Sequence, residues 1–124
     1  MSESRRSRKV LIADDDAAWR EHLSGYLQQQ GFVVVEASNG LESLVQVKRE
    51  RPDAVVLDVE MPRLGGLDAL KRIRPFDSAI NVIFVMGSDD PQLKEQALGL
   101  GATAVLQKPL DLSILLAALQ LHKR

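Results

Sequence analysis

Cysteine is missing from all 124 residues, which rules out disulfides, thiolate catalysis and zinc–thiolate sites together. Histidine occurs only at His22 and His122, widely separated and read as surface positions, so any metal has to be held by oxygen. No apolar run approaches the roughly 18 residues of a membrane span, and the Ser/Arg-rich start has no apolar segment behind it. The expected compartment is the cytoplasm, with no membrane partner. A net charge of −1 gives no general attraction to nucleic acid, and no direct nucleic-acid contact is expected. The basic start Arg5-Arg6-Ser7-Arg8-Lys9 therefore reads as a solvated, flexible tail over residues 1–8 rather than a nucleic-acid arm. Repeats, low-complexity tracts and linkers are also missing. What is present suits an ordinary globular chain: 45% hydrophobic and 27% charged residues, enough for one domain, residues 9–124, around one core.

Along the chain, short apolar runs alternate with amphipathic stretches. Lys9 to Ala13 is a strand that stops on Asp14-Asp15-Asp16. Trp19, Leu23 and Leu27 then form one apolar helical stripe, which Asp16 caps and Gly31 ends. Phe32 to Ala37 is a second strand. Asn39 and Glu42 fit a capping box, with Leu41, Leu44, Val45 and Lys48 on the inner and border face of the helix that follows. Pro52 closes that helix. Ala54 to Asp58 is a third strand, ending on a carboxylate just before the turn at Pro62. Leu67, Leu70 and Ile73 mark a short helix that Pro75 is expected to end. Val82 to Met86 is a fourth strand, apolar on both faces, and an N-cap in Ser88-Asp89-Asp90 precedes Pro91 at the start of a fourth helix. Ala102 to Gln107 is a fifth strand, followed by Lys108-Pro109 and a last helix capped by Asp111, with Leu112, Leu115, Leu116 and Leu119 inward.

Strands that are apolar throughout, with amphipathic helices between them, require a parallel sheet covered on both faces. In such open sheets the ligand site lies beyond the carboxyl ends of the strands. Asp14 and Asp15 after the first strand, Asp58 after the third and Lys108 after the fifth are thus carried to one edge. Three clustered carboxylates repel one another unless a cation sits among them. A divalent ion is expected, Mg²⁺ or Mn²⁺ by the hardness of the donors. Asp58 is the candidate nucleophile for phosphoryl transfer to a carboxylate. Asp15 is a direct metal ligand, Asp14 a ligand through water, and the backbone carbonyl of Glu60 is placed to complete the sphere. Lys108 suits the far side of the phosphoryl group as a compact point charge.

The motifs VLIADDD with Arg20 five residues after Asp15, VVLDVEMPRLGG and GATAVLQKPL, in this order and spacing, resemble the receiver domains of two-component response regulators, chemotaxis regulators among them. The resemblance covers Lys9 to about Leu121. It implies a flavodoxin-like, doubly wound five-stranded parallel sheet of order 2-1-3-4-5 with five helices, and a cis Lys108-Pro109 bond. It further implies that Asp58 accepts phosphate from a histidine kinase or phosphotransfer protein, with Asp14 and Asp15 on Mg²⁺ and Lys108 on the phosphoryl group. An output domain or downstream protein would follow as partner, with phosphorylation-linked homodimerisation open. Such a protein is not an enzyme beyond its own phosphoryl transfer and dephosphorylation.

Two switch positions depart from the family. Met86 stands where the family has Ser or Thr, and Val105 where it has an aromatic residue. Met86 donates no hydrogen bond, so readout can change while chemistry at Asp58 survives. Ser88, two residues on, is a substitute hydroxyl or part of a cap. These departures sustain the alternative of a phosphorylation-independent receiver-like interaction module. A phosphatase of the haloacid-dehalogenase type shares the Asp-x-Asp start but needs an insert this chain has no room for. A flavodoxin-like binder would need a Ser/Thr/Gly phosphate loop after the first strand, and none is present.

Overall fold

The computed structural model describes residues 8–121, so most of the expected basic tail, and His122, lie outside the described residues. Five strands, β1 (Lys9–Ala13), β2 (Val33–Ala37), β3 (Ala54–Asp58), β4 (Asn81–Met86) and β5 (Ala104–Gln107), alternate with five helices. These helices are α1 (Ala17–Gln29), α2 (Gly40–Glu50), α3 (Gly66–Phe76), α4 (Pro91–Gly99) and α5 (Leu112–Leu121). The strands are all parallel, in the order β2-β1-β3-β4-β5. Among the described residues no helix is long and apolar enough to cross a membrane.

The interior strands β3 and β4 are buried along their whole length, as their apolar runs 54–57 and 82–86 require, and the burial extends to the polar Asp58 and Asn81 at their ends. Their side chains alternate between two cores. Leu11, Val55, Leu57, Val82 and Phe84 face α2, α3 and α4, while Val10, Ile12, Val56, Ile83 and Val85 face α1 and α5. By that period of two, Asp14 and Asp58 continue the series that ends in Ile12 and Val56, and Lys108 continues the one through Leu106. All three start from the α1/α5 side of the sheet. Met86 and Val105 belong to the opposite side.

Helix starts are capped where the sequence indicates. Asp16 accepts from the Trp19 N–H at 3.1 Å, Asn39 from Glu42 at 2.8 Å, Asp90 from Gln92 at 3.0 Å, and Asp111 from Ser113 at 2.9 Å. Glu42 closes its capping box one residue early, on the N–H of Ser38 at 2.7 Å.

Two expectations about helices need correction. The inner face of α2 is Gly40, Ser43 and Val47, with Leu44 beside them; Leu41 is 40% and Val45 57% exposed. Gly40 is turned inward because the β3–α3 loop lies directly against it: a Cβ there would sit 1.9 Å from the Leu64 carbonyl oxygen. Ser43 is buried without penalty because its hydroxyl donates to the Gly40 carbonyl at 2.6 Å. Pro75 does not end α3 but occupies its last turn, where the helix runs one residue further to Phe76. The strands β2 and β5 also begin later than expected, at Val33 and Ala104.

Candidate functional site

Two adjacent strands bring the acids together. At the end of β1, Asp14 is 4% exposed and held by its backbone N–H, which donates to the Ala37 carbonyl at 3.1 Å. Its Oδ1 accepts from the Asp16 N–H at 2.9 Å, which leaves Oδ2 for the site. Asp15 is exposed beside it. On β3, Asp58 is 4% exposed, with Oδ1 accepting from the Glu60 N–H at 3.3 Å. The three side chains each offer one carboxylate oxygen, and these oxygens lie within 4.8 Å of one another.

Lys108 completes the group from β5. Its backbone N–H donates to the Met86 carbonyl at 2.9 Å, extending the β4–β5 ladder past the strand end, and the Lys108-Pro109 bond is cis. Its ammonium stands 3.3 Å from Asp58 Oδ2 and 3.7 Å from Asp14 Oδ2. The four ionic side chains expected at one edge therefore meet there. Asp16 stays out of the group and caps α1.

The electrostatics of the group are unbalanced. Burial, then the negative charge of Asp14, pushes the Asp58 carboxyl up from 3.8 to about 6, although Lys108 and the Glu60 N–H pull it back. Burial alone would lower Lys108, but Asp58 and Asp14 outweigh it and hold the ammonium above its ordinary value. A single cation thus fails to neutralise two buried carboxylates and a third at the surface. Three hard oxygen donors with excess negative charge fit a small divalent ion such as Mg²⁺.

The side chains at the expected switch positions alternate to the other side of the sheet. Met86 is 3% exposed and Val105 half-buried, and both line a cavity of about 70 Å³ with Ser88, Asp89, Asp90 and Lys94. Ser88 is exposed and makes no hydrogen bond among the described residues; the helix cap beside it belongs to Asp90. Glu60 is exposed, and its backbone N–H donates to Asp58 Oδ1.

Sequence reasoning missed two supports. Arg20, quoted only as part of a motif, donates from Nη1 to the Asp14 carbonyl at 2.7 Å and from Nε to Glu36 at 2.8 Å. The helical period does put Arg20 one turn past Asp16, but nothing local pairs it with Glu36. Gly66 permits α3 to start against β3, since a Cβ there would lie 2.5 Å from the Asp58 carbonyl oxygen.

Comparison with known proteins agrees with this geometry. The family model described as the response regulator receiver domain matches residues 10–120. Response regulator MprA of Mycobacterium leprae is 38% identical over 112 residues, covering 90% of this chain and 49% of that protein. MprA of Mycobacterium ulcerans is 37% identical, with 90% and 48% covered. The chain thus spans about half the length of the curated relatives it matches. Among solved structures, the chemotaxis protein CheY4 of Vibrio cholerae superposes with a TM-score of 0.88 at 30% identity, over 95% of this chain and all of that one. A CheX–CheY–BeF₃–Mg²⁺ complex from Borrelia burgdorferi gives 0.85 at 30% identity, covering 91% and 87%.

Proposed function

Because the chain belongs to the response regulator receiver domain family, we propose that Asp58 accepts a phosphoryl group from a histidine kinase or phosphotransfer protein in the cytoplasm. Phosphorylation on an aspartate and Mg²⁺ binding are general for this family. The observation that carries the reading is the meeting of Asp14, Asp15 and Asp58 within 4.8 Å, with Lys108 3.3 Å from Asp58.

Asp15 and Asp58 would hold Mg²⁺ directly, Asp14 through water, and the Glu60 carbonyl would complete the sphere. The ion, when bound, supplies charge for the equatorial phosphoryl oxygens. In the transfer, an Asp58 oxygen forms a bond to phosphorus as the bond from phosphorus to the donor nitrogen breaks in line. Lys108, released from Asp58, neutralises a phosphoryl oxygen. Asp14, held at its N–H and at Oδ1, keeps its other oxygen aimed at the site. Hydrolysis of the same bond returns Asp58, so the only turnover is the protein's own. We take residues 9–124 as the receiver unit, coupled to an output domain or a downstream protein.

Met86 and Val105 bear on readout. With a thioether at the end of β4, no hydroxyl there can donate to a phosphoryl oxygen. This favours a weakened conformational response, and it is the observation behind a second reading, a receiver-like module that binds its partner without phosphorylation.

Exposure to acetyl phosphate and Mg²⁺ is expected to add one acid-labile phosphoryl group by intact mass, and Asp58→Asn to abolish it. A chain that stays unlabelled under conditions that label CheY4 would move the assignment to the interaction module.

A further inference from the structure

The geometry points to Arg20, oriented by Glu36, as a positioning residue for the metal site: it fixes the β1–α1 turn from behind without touching the ion. The inference rests on the receiver reading above. Asp14 and Asp15 are held toward Asp58 with carboxylate oxygens within 4.8 Å of one another, a spacing at which like charges repel. Something must keep the turn from opening.

Three hydrogen bonds do so at Asp14. One joins its N–H to Ala37, one joins its own Oδ1 to Asp16, and one comes to its carbonyl from Arg20 Nη1 at 2.7 Å. Only the last is made by a side chain from outside the turn. That guanidinium is itself fixed, because Nε reaches Glu36 on β2 at 2.8 Å and the side chain is 16% exposed. A planar fork with two engaged nitrogens sets both the distance and the angle of the Asp14 peptide. The Asp14 and Asp15 carboxylates then stand ready before an ion arrives, and binding loses less to ordering the turn.

The plainer reading, an ion pair that merely ties α1 to β2, makes a different prediction. So does simple charge. Removing a cation near three carboxylates would by Coulomb's law tighten Mg²⁺ binding, whereas loss of positioning weakens it.

The test is an Mg²⁺ titration of the full chain, followed by amide NMR shifts of Asp15 and Val59 and, independently, by the Mg²⁺-dependent rise in Tm. Arg20→Met is expected to raise the Mg²⁺ dissociation constant on the order of tenfold. Arg20→Lys keeps the charge but not the fork, and should remain severalfold weaker than the parent; it also serves if Arg20→Met fails to fold. Unchanged or tighter binding in a folded Arg20→Met, or full affinity in Arg20→Lys, overturns the inference while leaving the receiver reading intact. A parent protein with no Mg²⁺ response in either measurement overturns both.

Discussion

At the scale of single residues, Asp58 stabilises a metal-free fold only while it is protonated. Its carboxyl titrates near 6 in the folded chain against 3.8 when unperturbed. Between those values the folded state keeps a proton that the unfolded state has released, so stability declines as pH rises from about 4 through 6. With the metal chelated, Asp58→Asn should flatten that decline and gain roughly 1 to 3 kcal/mol at pH 8, measured by urea denaturation. A variant no more stable than its parent at pH 8 would contradict the electrostatic account. Lys108 acts in the opposite direction, since it lowers the Asp58 value. Lys108→Ala is therefore expected to move the Asp58 midpoint above 6, read by carboxyl NMR, and to slow labelling by acetyl phosphate.

At the scale of elements, the loops matter as much as the strands they join. Arg74, near the end of α3, donates to the Gly101 carbonyl at 2.9 and 2.6 Å and to the Ile80 carbonyl at 2.6 Å, tying α3 to the turns before β4 and β5. Arg74→Met should cost about 2 kcal/mol of stability by denaturant unfolding, since hydrogen bonds from a charged donor are the stronger kind. It should leave Mg²⁺ affinity unchanged, in contrast to Arg20. Gly66→Ala presses a methyl group onto the Asp58 and Val59 backbone, which cannot yield as a flexible side chain would. We expect a loss of about 1 to 3 kcal/mol and shifted Glu60 amide resonances. The strands were legible in the sequence because Val55 to Leu57 and Val82 to Val85 are apolar on both faces, a pattern that needs no partner information. The inner face of α2 was not. Leu41 and Val45 outrank Gly40 and Ser43 in hydrophobicity, but Leu64 lies so close to Gly40 that no larger side chain fits there. The Arg20–Glu36 pair spans 16 residues and two elements, which no local periodicity encodes.

At the scale of the whole molecule, the chemistry converges because parallel strands all deliver their carboxyl ends to one edge. A ligand that binds only the assembled edge stabilises the entire fold, by about 2.7 kcal/mol when present at a hundred times its dissociation constant. Mg²⁺ should accordingly raise Tm by several degrees, and chelation should return it to the metal-free value. Asp58→Asn should blunt the shift.

The alternation of side chains between the two cores has a consequence for how this gene can change length. Asp14, Asp58 and Lys108 share one side of the sheet only because each stands an even number of residues from a partner such as Ile12, Val56 or Leu106. Deleting a single codon between Val105 and Lys108 would send the ammonium to the Met86 side. Tolerated insertions and deletions should therefore cluster in the turns on the far rim and spare the strands.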